Sequence, residues 1–140
     1  MSVEVLSGSC LCGVVRYEVR KPYLRFAHCY CARCRKATGS SHATNLYVLP
    51  AQFTWVSGSE FTRRYDVPSA ASFGIVTCTQ CGGRVPHFTR SGAEVVIPAG
   101  TLDTVPDMVP QANIFWDSRA PWSCGGERLP CHAEYTPNWR

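Results

Sequence analysis

Apolar and polar side chains alternate in short runs along most of this chain, and glycine, proline and serine separate the runs. An alternation with a period of two is typical of strands that have one buried face, and the separating residues are those that favour turns. We expect strands at residues 13–19, 46–49, 53–56, 73–76, 94–97 and 112–116. The pattern therefore predicts a mainly β architecture with antiparallel strands.

One segment has a helical pattern instead, Ala32 to Thr38, and Gly39 follows it at a position suited to a left-handed C-cap. No internal repeat divides the 140 residues. We therefore expect a single domain over residues 1–140, with an ordered core at about residues 3–130 and a loosely ordered C-terminal tail.

Composition and charge narrow the class of protein. A hydrophobic content of 45% with 11% aromatic residues predicts a folded globule. Fourteen lysines and arginines against ten acidic residues give a net charge of +4, which favours anionic small molecules as ligands. The basic residues are scattered, so nucleic acid is an unlikely partner, and the crowding of Arg33, Arg35 and Lys36 is the exception. No run of 18 apolar residues and no signal-like N-terminus occurs, so we expect a cytoplasmic protein with no membrane association.

Seven of the nine cysteines fall into three tight clusters. These are Cys10 and Cys12, then Cys29, Cys31 and Cys34, and finally Cys78 and Cys81. In a reducing compartment such clusters are typical of metal ligands rather than disulfides. Structural zinc takes four thiolates, whereas catalytic zinc keeps three protein ligands and one open position. Seven cysteines therefore suggest one closed zinc site and one open zinc site.

The spacing leaves the partners of each doublet undecided. Cys31 and Cys34 with Cys78 and Cys81 would form a conventional zinc ribbon, although the adjacency of Cys29 to Cys31 favours keeping the central triplet together. The remaining two cysteines, Cys124 and Cys131, have no spacing typical of metal ligands, and we interpret them as ordinary thiols.

Three motifs, in this order, resemble the glutathione-dependent formaldehyde-activating enzyme family, whose domain also occurs in centromere protein V. They are GSCLCGVVRY at residues 8–17, HCYCARCRKATGS at residues 28–40 and CTQCGG at residues 78–83. Further similarity lies in GTLD at residues 100–103, NIFW at residues 113–116 and APW at residues 120–122. The chain departs from the family at Asn113, where a histidine is frequent.

The resemblance implies a mainly β, Mss4-like fold of antiparallel sheets with zinc-binding cysteine knuckles and little helix. It assigns a structural zinc to Cys10, Cys12, Cys78 and Cys81, and a catalytic zinc to Cys29, Cys31 and Cys34. It also implies a carbon–sulfur lyase in which glutathione, as cosubstrate, adds to formaldehyde to give S-hydroxymethylglutathione.

Glutathione carries two carboxylates, so cationic side chains are expected beside the open zinc. Arg33, Arg35 and Lys36 lie nearest in sequence and are our candidate glutathione contacts. Two alternatives stay open: a lyase that acts on another thiol adduct, and a non-catalytic zinc module that binds protein or nucleic acid. A B-type methionine sulfoxide reductase is disfavoured, since neither Cys124 nor Cys131 lies in the required sequence context.

Overall fold

The computed structural model describes residues 4–123 and 128–139. Its strands are β1 (Val5–Ser9), β2 (Arg16–Arg20), β3 (Arg25–Cys29), β4 (Ala43–Val48), β5 (Phe53–Ser57), β6 (Thr62–Asp66), β7 (Gly74–Cys78), β8 (Arg84–Val85), β9 (His87–Phe88), β10 (Val95–Pro98) and β11 (Ala112–Ile114). Helix α1 spans Ala32–Thr38. Short 3₁₀ turns occur at Pro50–Gln52, Ser59–Phe61, Ala99–Thr101 and Trp116–Ser118. The predicted class, a mainly β Mss4-like fold with little helix, is confirmed.

The strands form three sheets. One has the order β1-β2-β5, a second β11-β3-β4-β10-β9, and a third β6-β7-β8. The pairs are antiparallel except for β11, which runs parallel to β3. None of the described helices has the length and hydropathy needed to cross a membrane.

The five-stranded sheet has two unlike faces because successive side chains on a strand point in opposite directions. Phe26, Leu46 and Ile97 point to one face and pack with Tyr17 and Phe53 of the first sheet in the main hydrophobic core. The alternate residues of β3 and β4 point to the other face, opposite the main core. That face carries the candidate site.

Helix α1 has the predicted bounds, and its C-cap confirms the role expected of Gly39. This glycine has φ 66°, and its N–H donates to the Arg35 carbonyl at 2.8 Å. Two predicted strands are shorter than expected. The first begins at Arg16 because residues 13–15 complete a turn in which Gly13 has φ 81°. The last ends at Ile114 because Phe115 adopts the left-handed conformation, with φ 54°.

Candidate functional site

Four cysteines from distant parts of the sequence meet at one edge of the fold. The turn after β1 supplies Cys10 and Cys12, β7 ends at Cys78, and the turn that follows β7 supplies Cys81. Their sulfur atoms all lie within 4.8 Å of one another. We call this group the four-cysteine cluster. It packs with Val15, Val76 and Val85 in a small apolar core of its own.

The geometry of the four-cysteine cluster suits a tetrahedral metal ion. Zinc–sulfur bonds of 2.3 Å in a tetrahedron place the sulfurs about 3.8 Å apart. The observed Sγ–Sγ distances are 3.6 Å for Cys10 to Cys12 and 3.9 Å for Cys12 to Cys78. The donor set therefore fits zinc.

Backbone N–H groups favour the ionised sulfurs that a metal requires. The N–H of Val15 donates to Cys10 Sγ and that of Gln80 to Cys78 Sγ, both at 3.3 Å. A backbone hydrogen bond from Gly83 lowers the pKa of Cys81 to about 6. Hydrogen bonds to a thiolate stabilise it relative to the thiol, so each of these contacts favours the form that binds a metal ion.

The remaining clustered cysteines lie where β3 passes into α1. Cys29 ends the strand, Cys31 is the N-cap of the helix and Cys34 is the buried residue of its first turn. Their sulfurs also lie within 4.8 Å of one another, and the N–H of Cys34 donates to Cys31 Sγ at 3.3 Å. Burial raises the pKa of the Cys34 thiol, so a cation is needed to keep it ionised. We call this group the three-cysteine cluster.

The two clusters are separate groups of sulfur atoms. The structure therefore brings Cys10 and Cys12 to the Cys78–Cys81 turn, and it does not bring Cys31 and Cys34 there as a zinc ribbon would require. Each of the described cysteines is a free thiol. Cys131 is exposed, and Cys124 lies outside the described residues.

All three residues of the three-cysteine cluster line a cavity of about 610 Å³. The four-cysteine cluster contributes no residue to its lining. The cavity lies on the face of the five-stranded sheet opposite the main core, where Arg25, Asn45 and Tyr47 line it. Apolar walls come from Phe73 and Ile114, among other residues. Its volume is typical of a small-molecule site.

The lining of the cavity contains a paired charge. Arg25 forms an ion pair with Glu94, with an Nη1–Oε1 distance of 3.2 Å, and its guanidinium lies 4.2 Å from the centre of the Tyr47 ring. Burial raises the pKa of the Tyr47 hydroxyl, so this group is a proton donor at neutral pH.

Two further polar side chains of the lining each have a buried atom without a partner. Arg84 lines the cavity from β8, and His87, which is only 9% exposed, lines it from β9. Arg84 Nε and His87 Nδ1 are buried and make no hydrogen bond within the described part of the chain. The sequence analysis missed both residues. The only available signal was the position of Arg84 directly after the CTQCGG motif.

The three predicted glutathione contacts separate in the structure. Arg33 lines the cavity, and it also lines an adjoining apolar groove of about 350 Å³. Lys36 lines the groove but not the cavity, and it lies there beside Tyr65 and Phe73. Arg35 lines neither of them, and its Nη2 donates to the Ser118 carbonyl at 3.5 Å. Of the three, Arg33 is therefore the one placed beside the cysteines.

His28 precedes Cys29 but belongs to the opposite side of the strand. Its Nδ1 lies 2.7 Å from Thr44 Oγ1, and its ring is 4.3 Å from that of His42. It is absent from the three-cysteine cluster. Asn113 lies beside His28 in the parallel pairing of β11 with β3.

Comparisons with known proteins agree with the motifs. The sequence profile of the family described as "Glutathione-dependent formaldehyde-activating enzyme" matches residues 5–118. A Halomonas elongata protein, provisionally named a glutathione-dependent formaldehyde-activating enzyme, is 31% identical over 129 residues, which cover 84% of this chain and 79% of that protein. The crystal structure of a Rhodobacter sphaeroides protein superimposes with a TM-score of 0.58 at 24% identity, covering 74% of this chain and 97% of the other. This last likeness is one of fold.

Proposed function

This chain belongs to the glutathione-dependent formaldehyde-activating enzyme family, and we propose that it joins glutathione to formaldehyde to give S-hydroxymethylglutathione. One observation carries the proposal: the three-cysteine cluster opens onto a cavity large enough for a small thiol. The reaction makes the protein a carbon–sulfur lyase that acts in the direction of addition. We place it in the cytoplasm, because free thiols and thiolate ligands persist in reducing compartments.

We assign one zinc ion to each cluster. The four-cysteine cluster would hold its ion with four sulfurs and leave no position for substrate. The three-cysteine cluster has one ligand fewer and faces the cavity. Zinc bound there would supply the fourth coordination position and hold the glutathione sulfur as a thiolate, the form that attacks carbonyl carbon.

The side chains that line the cavity would supply positive charge, apolar walls and a proton donor. Arg25, Arg33 and Arg84 provide positive charge for an anionic thiol, against the single carboxylate of Glu94. The apolar walls restrict water around the reacting atoms. In the reaction an S–H bond and a carbonyl π bond break, a carbon–sulfur bond forms, and the proton lost by sulfur is balanced by the one gained at the new hydroxyl. Tyr47 is the proton donor that lines the cavity and is suited to this last transfer.

The test must separate catalysis from the spontaneous reaction of the two substrates. Exchange spectroscopy by NMR with ¹³C-formaldehyde and glutathione measures the rate at which the adduct forms. We expect the wild-type protein to accelerate exchange and Cys34→Ser to lose this effect. Cys131→Ser, which changes an exposed tail thiol, is the matched control and should behave as wild type.

Equal exchange rates with and without wild-type protein would refute the activity. Acceleration with a different thiol, and none with glutathione, would instead indicate a carbon–sulfur lyase for another thiol adduct.

A further inference from the structure

The charged side chains of the cavity differ in whether a partner already satisfies them. Arg25 has Glu94, whereas Arg84 makes no ion pair with any residue in 4–123 or 128–139. Two other arginines near this side of the fold, Arg64 and Arg90, both pair with Asp66. Arg84 differs from them because its Nε is also buried, with no hydrogen-bond partner among the described residues. We call the part of the cavity that Arg84 and His87 line the cavity floor.

A second polar group lies beside this guanidinium. His87 is more than nine-tenths buried, its Nδ1 has no partner, and it lines the same cavity. Burial, and then the positive charge of Arg84, lowers the pKa of His87 to about 4. The ring is thus neutral at pH 7, and it can donate one hydrogen bond without adding a second charge.

The backbone explains why these groups meet. β8 follows directly after the Cys78–Cys81 turn and pairs with β7, which brings Arg84 toward the cavity. β9 pairs with β10, where His87 is opposite Val96, another lining residue. Buried polar atoms without partners are costly and unusual, so their presence on two adjacent elements at one cavity points to a ligand.

We propose that Arg84 and His87 form a carboxylate-binding site at the floor of the cavity, and that the thiol substrate must carry a carboxylate. The proposal rests on the proposed function, because it assumes that a thiol occupies the cavity. A guanidinium provides two parallel N–H donors for a carboxylate, and the imidazole can provide a third. Binding of the carboxylate would thereby hold the thiol group of the same substrate molecule beside the three-cysteine cluster.

Calorimetry on the protein as purified, with its bound metal, can test this site. The probes are glutathione, its diethyl ester and S-methylglutathione, and the variants are Arg84→Gln and the control Arg63→Gln, which changes an exposed arginine on β6. We expect wild type to bind glutathione about tenfold more tightly than the ester. Arg84→Gln should weaken the binding of glutathione about tenfold and leave the affinity for the ester unchanged. Arg63→Gln should alter neither affinity.

The site would be refuted if wild type bound ester and acid equally, a comparison that needs no variant. It would also be refuted if Arg84→Gln, with its metal content intact, weakened both ligands by the same factor. S-methylglutathione separates the two proposals because it retains both carboxylates and lacks the thiol. Its binding should still depend on Arg84. If it binds as tightly as glutathione and exchange is not accelerated, the carboxylate site stands and the proposed reaction fails.

Discussion

The two cysteine clusters use the same ligand chemistry in opposite surroundings. The four-cysteine cluster joins two sheets and is packed against valines, whereas the three-cysteine cluster has Ala43 and Phe73 as its apolar neighbours and opens onto a cavity. The first group connects β1 to β7 across about half of the sequence, while the second lies within six consecutive residues. Under the proposed function, ligand type thus does not separate the structural site from the catalytic one. The number of sulfurs and the space beside them would do so.

The largest expected effect comes from serine substitution of one ligand in each cluster. Cys81 and Cys31 are both half-buried, so loss of packing is similar in the two variants. Cys81→Ser should remove a cross-link between distant strands and cost several kcal/mol, a large share of the stability of a small domain. Cys31→Ser should lose its metal and activity but cost only about 1–2 kcal/mol. Thermal melts and metal analysis of both variants measure the difference.

The contrast between the clusters would be contradicted if the two variants lost equal stability, or if Cys31→Ser unfolded at a lower temperature than Cys81→Ser. Either result would give the three-cysteine cluster a structural role equal to that of its neighbour.

The next largest loss of stability is expected from alanine substitution of one of two glycines with similar backbone conformations. Gly58 has φ 77° and lies against the turn that follows Cys12, where an added Cβ would overlap the carbonyl oxygen of Val14. Gly39 has φ 66° and ends α1, with no heavy atom within 4 Å of an added Cβ. Gly39→Ala should cost only the left-handed strain, about 1 kcal/mol. Gly58→Ala should cost about 3 kcal/mol or more, because strain and overlap add.

Chemical denaturation of both alanine variants gives these values. Similar costs would mean that the Val14 turn moves aside freely, and the four-cysteine cluster would then be less rigid than its packing implies.

The sequence is most informative where local chemistry decides the structure. Helix α1 could be predicted to the residue, since Gly39 provides its left-handed cap. The cysteine clusters were visible as motifs, but their pairing required the family resemblance because spacing alone also allows a zinc ribbon. Strand β6, TRRYD, could not be predicted, since four of its five residues are exposed and it has no alternation. Such a strand is held by its pairing with β7 rather than by its own pattern.

The cavity floor could not be predicted from the sequence for a related reason. Arg84 and His87 belong to strands of two residues each, too short to carry a periodic signal. Their importance depends on long-range pairing of β8 with β7 and of β9 with β10. The burial of a polar side chain is a property of the fold, and sequence reasoning accordingly treats an isolated histidine as ordinary.

A third prediction concerns acid stability on the side of the cavity. Burial, with Arg84 and Arg64 nearby and Asp66 opposing them, lowers the pKa of His87 to about 4 from an ordinary 6.5. Below pH 6.5 the unfolded chain binds a proton that the folded chain does not, so stability falls with decreasing pH. From pH 6.5 to 5 the loss is about 2 kcal/mol. His87→Gln should remove this part of the slope.

Urea titrations at several pH values, with metal content followed in parallel, measure that difference between wild type and variant. Parallel stability curves for the two proteins would show that His87 binds its proton equally well in the folded and the unfolded chain, and the lowered pKa of His87 in the fold would then be wrong.

The smallest expected effect concerns residues 67–73, which we call the cavity wall because residues 71–73 line the cavity. The four-cysteine cluster contributes no residue to this wall. Arg90 donates from Nη1 to the carbonyls of Ala70 and Ala71, and from Nη2 to those of Val67 and Phe73. Arg90→Lys keeps the charge but loses the planar fork, at a cost of about 1 kcal/mol. Because Phe73 lines the cavity, we also expect weaker glutathione binding, by a few-fold.

Arg20→Lys, at the exposed end of β2, is the matched control. Hydrogen exchange should show faster opening of residues 67–73 in Arg90→Lys only, with the amides around Cys10 and Cys78 unchanged. If the amides beside the four-cysteine cluster also opened faster, the two regions would unfold as one unit. The independence of the cavity wall from that cluster would then be lost.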